Sequence, residues 1–132
     1  MAKSQRILLV TDSTEFPRAE LEDRGFAATI AKGCDAAFED LRSAPFDLVA
    51  IDFASTRDGV EFIKRVRATP QLAGILILIM AEWGTGEPTL AMSAGADTYE
   101  PVDAKSIDSS RLISTIERLL NRQVAAANPQ TL

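Results

Sequence analysis

The chain has 132 residues, a formal net charge of −5, 46% hydrophobic residues and 25% charged residues. These values are typical of one ordinary globular domain. The acidic balance argues against a direct nucleic-acid partner, which would need clustered lysine and arginine. The longest apolar run, 75–81, is too short for a membrane helix, and residues 1–6 lead into a short strand rather than a signal-peptide core. We therefore expect a cytoplasmic protein.

Two residue counts exclude whole classes of site. The chain has no histidine, which excludes a His-based catalytic triad, a His-containing zinc site and a role as a histidine phosphocarrier. Its one cysteine, Cys34, permits no internal disulfide and lies in a helical pattern. We expect it to be a core or half-buried thiol.

Strands and helices are predicted to alternate five times along the chain. The expected strands span 6–11, 26–30, 48–51, 75–80 and 98–100, and the expected helices span about 16–24, 35–42, 60–68, 87–93 and 107–122. Such alternation with short connections predicts an α/β fold, a doubly wound five-stranded parallel sheet with helices on both faces. We expect one domain over 1–122 and a flexible tail over 123–132.

Two carboxylates are predicted at one edge of that sheet. Asp52 follows a short apolar run without alternation, which is typical of a parallel strand covered on both faces. Because the first and third strands lie side by side in such a fold, Asp12 and Asp52 should lie close together. Close carboxylates repel unless they share a cation, and Mg²⁺ prefers such oxygen ligands. The pair indicates either metal-assisted phosphorylation of an aspartate or two solvated acids that cap turns.

Five segments carry a resemblance to a known family. They are ILLVTD at 7–12, AKGCDAA at 31–37, DLVAID at 47–52, DGVEF at 58–62 and AGADTY at 94–99. In this order they resemble the receiver domain of bacterial two-component response regulators, from residue 6 to about 120. The resemblance implies the flavodoxin-like (βα)5 receiver fold, with Asp52 as phosphoacceptor and Asp12 as a direct metal ligand. It also implies that the backbone carbonyl of Ala54 binds the metal and that Tyr99 is an aromatic switch residue.

The sequence departs from this family at positions that serve the switch. Thr11 stands where the family usually has the first acid of its pair, and Met80 stands where a serine or threonine normally donates to the phosphoryl group. The Lys-Pro step after the fifth strand is missing, so Glu100 or Val102 replaces the lysine, and Lys105 lies nearby. Charge-assisted hydrogen bonds contribute about 1.5–3 kcal/mol each, so these losses predict a weakened conformational response.

The favoured function is therefore a stand-alone receiver in a bacterial two-component phosphorelay, a phosphoprotein with Asp52 as candidate phosphoacceptor and Mg²⁺ as a weak cofactor. Its expected partners are a sensor histidine kinase or phosphotransfer protein, and a downstream protein or second copy bound through the last helix. We expect no contact with nucleic acid or membrane, and no turnover beyond autophosphorylation from a phosphodonor and self-dephosphorylation. The alternative is a phosphate-independent pseudo-receiver that acts as a protein–protein interaction module. A flavodoxin-type flavin binder or small α/β enzyme is disfavoured, because the loop at 12–15 is acidic where a phosphate loop offers glycines.

Overall fold

The structure is a computed structural model that describes residues 5–12, 18–53, 58–82, 86–101 and 109–127. Within these residues strands and helices alternate as the sequence predicts. The elements are β1 (Arg6–Val10), α1 (Arg18–Asp23), β2 (Ala27–Ala31), α2 (Cys34–Ser43), β3 (Leu48–Asp52), α3 (Gly59–Ala68), β4 (Leu76–Ala81), α4 (Glu87–Ala94), β5 (Thr98–Pro101) and α5 (Ser109–Ala127). The last helix continues beyond its expected end at 122, and the flexible tail stays a prediction.

The five strands form one parallel sheet in the order β2-β1-β3-β4-β5. The predicted doubly wound α/β fold is confirmed. The strand order reverses between β1 and β3, because the chain moves from β1 to one edge of the sheet and then returns to the other side. The carboxyl ends of strands at such a switch point are where open α/β folds bind ligands.

Two apolar layers cover the sheet, one on each face. The first contains Val49 and Ile51 of β3. It packs against α2, α3 and α4, which contribute Phe38, Ile63 and Ala91 in that order. The second contains Leu48 and Ala50 of β3 and packs against α1 and α5. Since neighbouring strand residues point to opposite faces, the alternation places the side chain of Asp52 on the α1/α5 face. Among the described helices, none combines the length and hydropathy of a membrane-spanning segment.

Arg67, near the end of α3, ties together the turns that precede β4 and β5. Its guanidinium donates to the carbonyl oxygens of Ala73 and Ile75, both at 2.7 Å, and to that of Gly95 at 2.9 and 2.7 Å. It also donates to Oδ2 of Asp97 at 2.9 Å. These contacts lie at the amino-terminal edge of the sheet, opposite the end of β3. They fix where β4 and β5 begin, and so how far each strand reaches toward the other edge.

We expect Arg67→Met to lower the free energy of unfolding by about 2–4 kcal/mol, because it removes the donor shared by several partly buried acceptors. Urea denaturation followed by circular dichroism measures this change. Arg65→Met, on the same helix, is the matched control. Arg65 stacks over the Phe38 ring at 3.9 Å and pairs with Asp35 at 3.8 Å on the exposed surface, so we expect its loss to cost below about 1 kcal/mol. Equal destabilisation by the two variants would contradict the role given to Arg67.

Candidate functional site

Asp52 ends β3, the central strand of the sheet, and its residue is only 5% exposed. The parallel register pairs Asp52 with Met80 of β4, and Met80 with Glu100 of β5. The ladder continues one step further, because the backbone N–H of Phe53 donates to the carbonyl of Met80 at 2.9 Å. Asp52, Met80 and Glu100 therefore form a row across three strands at the carboxyl edge of the sheet.

Thr11 contacts the carboxylate of Asp52 directly. It follows β1, and its backbone N–H donates to the carbonyl of Ala31 at 3.0 Å, so the pairing with β2 extends to this residue. The Thr11 side chain is 0% exposed, and its Oγ1 donates to Oδ2 of Asp52 at 2.9 Å. The sequence indicated Thr11 only as the loss of an acid. The available signal for this contact was that the strands of Thr11 and Asp52 are predicted to end side by side. A strand pattern does not, however, specify side-chain rotamers.

Asp12 is exposed, so the predicted carboxylate pair consists of one buried and one solvent-facing acid. Asp12 also lines a cleft of about 660 Å³ beside α2 and α3. Charged residues of both signs surround this cleft: Asp12, Lys32, Asp35, Asp58, Glu61 and Arg65. Solvent and small solutes can therefore reach Asp12 from the side of α2 and α3.

A divalent cation would find two candidate carboxylates at this edge, Asp12 and Asp52. The described residues contain no group of three or more His, Cys, Asp or Glu side chains able to hold a metal. Mg²⁺ is commonly held by one or two carboxylates with several waters, so the donor chemistry of this pair fits Mg²⁺. The third expected ligand, the backbone carbonyl of Ala54, lies outside the described residues.

The two expected switch residues lie on opposite faces of the sheet. Met80 is fully buried in the α1/α5 layer, and its thioether sulfur is at most a weak acceptor. Tyr99 is half-buried on the α4 side, and its hydroxyl donates to the carbonyl of Ala81 at 3.2 Å. Burial, and next the charge of Glu100, raise the pKa of Tyr99. Its phenol is therefore neutral and able to donate near pH 7.

Glu100 is buried, with 7% exposure, and its carboxylate is held by α5. Oε2 accepts a hydrogen bond from Thr115 Oγ1 at 2.9 Å, and Oε1 pairs with Arg111 Nε at 3.3 Å. Sequence reasoning missed both partners. Their spacing of four residues, which places them on one face of a helix, was the available signal. Lys105, the other cation expected nearby, lies outside the described residues.

Cys34, at the start of α2, is half-buried as expected. Its Sγ lies 3.9 Å from the backbone carbonyl of Asp58. Burial, and then the charges of Asp58 and Asp35, raise the pKa of the thiol from 9.0 to about 11. The thiol therefore stays protonated at neutral pH, which makes it a poor nucleophile and metal ligand.

We expect iodoacetamide to alkylate Cys34 about 100-fold more slowly in the folded protein than in the urea-unfolded chain at pH 7, because two units of pKa lower the thiolate fraction by that factor. The folded-state rate should rise steadily until the pH approaches about 11. Mass spectrometry of the alkylated protein measures both rates. Asp35→Asn removes one of the charges that raise the pKa and should speed the reaction. Equal rates for the folded and unfolded chains would contradict a raised pKa.

Comparison with known proteins places this geometry in a recognised fold. No protein-family model matches the sequence, and neither does any curated protein sequence. The structure is similar to chemotaxis response regulator CheY4 of Vibrio cholerae, with a TM-score of 0.76 and 24% identity over 87% of this chain and 98% of that chain. It is also similar to the receiver domain of TorR, the TMAO respiratory system response regulator, with a TM-score of 0.77 and 17% identity over 89% of this chain and 98% of that chain. A response regulator receiver protein from Pseudomonas putida matches with a TM-score of 0.75 and 22% identity over 89% of this chain and 99% of that chain. The chain therefore has the receiver fold, and the resemblance of its sequence to receiver domains is confirmed at the level of the fold.

Proposed function

We propose that this chain is the receiver module of a bacterial two-component phosphorelay, and that Asp52 accepts a phosphoryl group from a histidine kinase or phosphotransfer protein. The observation that carries the proposal is the position of Asp52, a buried carboxylate at the carboxyl end of the central strand of a receiver fold. We expect the relay to operate in the cytoplasm. The chain would pass the signal on to a downstream protein or a second copy through the face of α5.

Phosphoryl transfer depends on the protein mainly for the positioning of the reacting groups. In phosphoryl transfer to Asp52, a carboxylate oxygen forms a bond to phosphorus while the bond from phosphorus to the donor atom breaks, and the electron pair of that bond stays on the donor atom. The donor atom is a histidine nitrogen in a kinase or phosphotransfer protein and an oxygen in acetyl phosphate. The buried hydroxyl of Thr11 restricts how the carboxylate can turn, which favours a reactive orientation. Bound Mg²⁺ would neutralise charge on the incoming phosphoryl oxygens. Asp12, which is exposed beside the cleft, is suited to share that ion.

The conformational response to this chemistry should be weak. Met80 offers no hydrogen-bond donor to a phosphoryl group, and the carboxylate of Glu100 is already held by Arg111 and Thr115. Each missing charge-assisted hydrogen bond is worth about 1.5–3 kcal/mol. Converting a two-state switch from mostly off to mostly on requires about 5.5 kcal/mol of differential affinity. The missing contacts at Met80 and Glu100 together remove most of the free energy that would drive the switch.

One observation favours the alternative, a phosphate-independent interaction module. The ion pair and hydrogen bond of Glu100 join β5 to α5 without any phosphoryl group. A surface built on α5 would then be available to a protein partner in every phosphorylation state. Partner binding that is equal for the wild type and for Asp52→Ala would favour this function over the relay.

We expect the wild type to gain the mass of one phosphoryl group after incubation with acetyl phosphate and Mg²⁺, and Asp52→Asn to gain none. The acyl phosphate is preserved by acid quenching and read by intact mass spectrometry. Glu100→Gln is the matched control, since it makes the same carboxylate-to-amide change at another buried acid and should keep the modification. A folded wild type that gains no phosphoryl group would contradict the relay and favour the interaction module.

We expect Met80→Thr to strengthen the response at Tyr99, because it supplies the hydroxyl donor that a thioether lacks. Beryllofluoride with Mg²⁺ mimics the phosphoryl group, and amide resonances report where the structure responds. In the wild type the shifts should stay close to Asp52, whereas in Met80→Thr they should reach Tyr99. Met80→Val serves as the control, because valine has the shape of threonine without its hydroxyl. A response at Tyr99 that is equal in both variants would contradict the role given to the missing donor.

A further inference from the structure

The hydrogen bond between Thr11 and Asp52 joins a buried donor to the carboxylate that would carry the phosphoryl group. Thr11 is 0% exposed and Asp52 is 5% exposed, and the two oxygen atoms are 2.9 Å apart. The backbone of Thr11 is fixed by its bond to Ala31 in the adjacent strand. The donor therefore stays beside Oδ2 of Asp52 whatever is attached to the other carboxylate oxygen.

The direction of this hydrogen bond follows from the chemistry of its partners. An ionised carboxylate only accepts, so the hydroxyl of Thr11 donates to Asp52. When a phosphoryl group is attached to Oδ1, Oδ2 becomes the carbonyl oxygen of an acyl phosphate and loses its share of the negative charge. Hydrogen bonds to charged acceptors are roughly twice as strong as those to neutral acceptors. The Thr11 bond is therefore stronger to the free carboxylate than to the acyl phosphate.

We propose that Thr11 accelerates the loss of the phosphoryl group from Asp52 by donating to Oδ2 as the carboxylate re-forms. The inference rests on the proposed function, because it concerns hydrolysis of the same acyl phosphate. In this step a water oxygen bonds to phosphorus, the bond between phosphorus and Oδ1 breaks, and the electron pair of that bond stays on Oδ1. The two water protons end on the inorganic phosphate that leaves. Negative charge thus develops on the carboxylate that Thr11 contacts.

This role depends on the hydroxyl group of the residue at position 11, which is a threonine in this chain. An ionised aspartate or glutamate, as the resembling family usually has there, carries no proton to donate. A hydroxyl that strengthens its bond as charge develops in the transition state raises the rate of the step. The difference between a charged and a neutral acceptor corresponds to a rate change of roughly five- to tenfold. Asp52 would then hold its phosphoryl group only briefly.

The test measures the lifetime of the phosphoprotein separately from its formation. Each variant is phosphorylated with acetyl phosphate and Mg²⁺, freed of donor by rapid desalting, and sampled over time by intact mass spectrometry. We expect Thr11→Val, which keeps the shape and loses the hydroxyl, to lose its phosphoryl group roughly five- to tenfold more slowly than the wild type. Thr11→Ser restores a hydroxyl and should return the rate close to that of the wild type.

Thr115→Val is the matched control. Thr115 is also a buried threonine that donates to a buried carboxylate at 2.9 Å, that of Glu100. Its replacement makes the same change in volume and hydrogen bonding on the same face of the sheet, away from Asp52. We expect the lifetime of the phosphoprotein to stay at the wild-type value. A lifetime lengthened equally by both valine variants would point to a general loss of packing and would overturn the inference.

Three further outcomes separate a failure of the inference about Thr11 from a failure of the proposed relay. A phosphorylated Thr11→Val that decays as fast as the wild type, or faster, overturns the role of Thr11 and leaves the relay intact. A wild type that takes no phosphoryl group overturns the relay and the inference together. If Thr11→Val does not fold, as judged by circular dichroism, the smaller pair Thr11→Ala and Thr11→Ser makes the same comparison. Equal decay in that pair also overturns the role of Thr11.

Discussion

The parallel pairing of β3 with β1 on one side and β4 on the other is the constraint on which the site depends. This register places Met80 beside Asp52 and brings Thr11 within hydrogen-bond distance of the same carboxylate. A slip of one residue in β3 would turn Asp52 to the opposite face and move every apolar side chain of the strand into the other layer. Since all of β3 is buried, the two apolar layers strongly disfavour such a slip. The core thus fixes the orientation of the one side chain on which the proposed chemistry relies.

The sequence predicts most of this fold, because its signals are local. Apolar runs indicate the buried strands, Gly25 and Pro70 mark the ends of helices, and Asp52 stands directly after a strand. The contacts that connect distant segments carry no such signal. In the sequence Arg67 is one of several charged residues on its helix, although its guanidinium reaches the turns before two strands. Side-chain direction is equally absent from the pattern: Glu100 could be placed near the end of the last strand, but not against α5.

Among the residues that the structure describes, two buried carboxylates occupy the α1/α5 face, and each accepts a hydrogen bond from a threonine hydroxyl. Asp52 accepts from Thr11 and Glu100 from Thr115, both at 2.9 Å. Glu100 also pairs with Nε of Arg111 at 3.3 Å. Because the Arg111 side chain is 65% exposed, this ion pair contributes little to stability, whereas the buried hydrogen bond from Thr115 matters more. The two contacts of Glu100 join α5 to β5.

A phosphoryl group on Asp52 would add negative charge to the sheet edge at which the acidic side chain of Glu100 lies. The two residues are separated by the one strand that contains Met80, which corresponds to roughly 10 Å at the usual spacing between strands. Two isolated unit charges at that distance would repel by about 1–2 kcal/mol at an effective dielectric constant of about 20, and the guanidinium of Arg111, which pairs with Glu100, reduces this repulsion. A lysine in the place of Glu100 would reverse the sign of this interaction and favour the phosphorylated state. Under the proposed function, the acidic side chain of Glu100 and the Thr11 hydroxyl, which donates to Oδ2 of Asp52, would both favour return to the free carboxylate. In that function, Asp52 would gain and lose its phosphoryl group with little response from the rest of the fold.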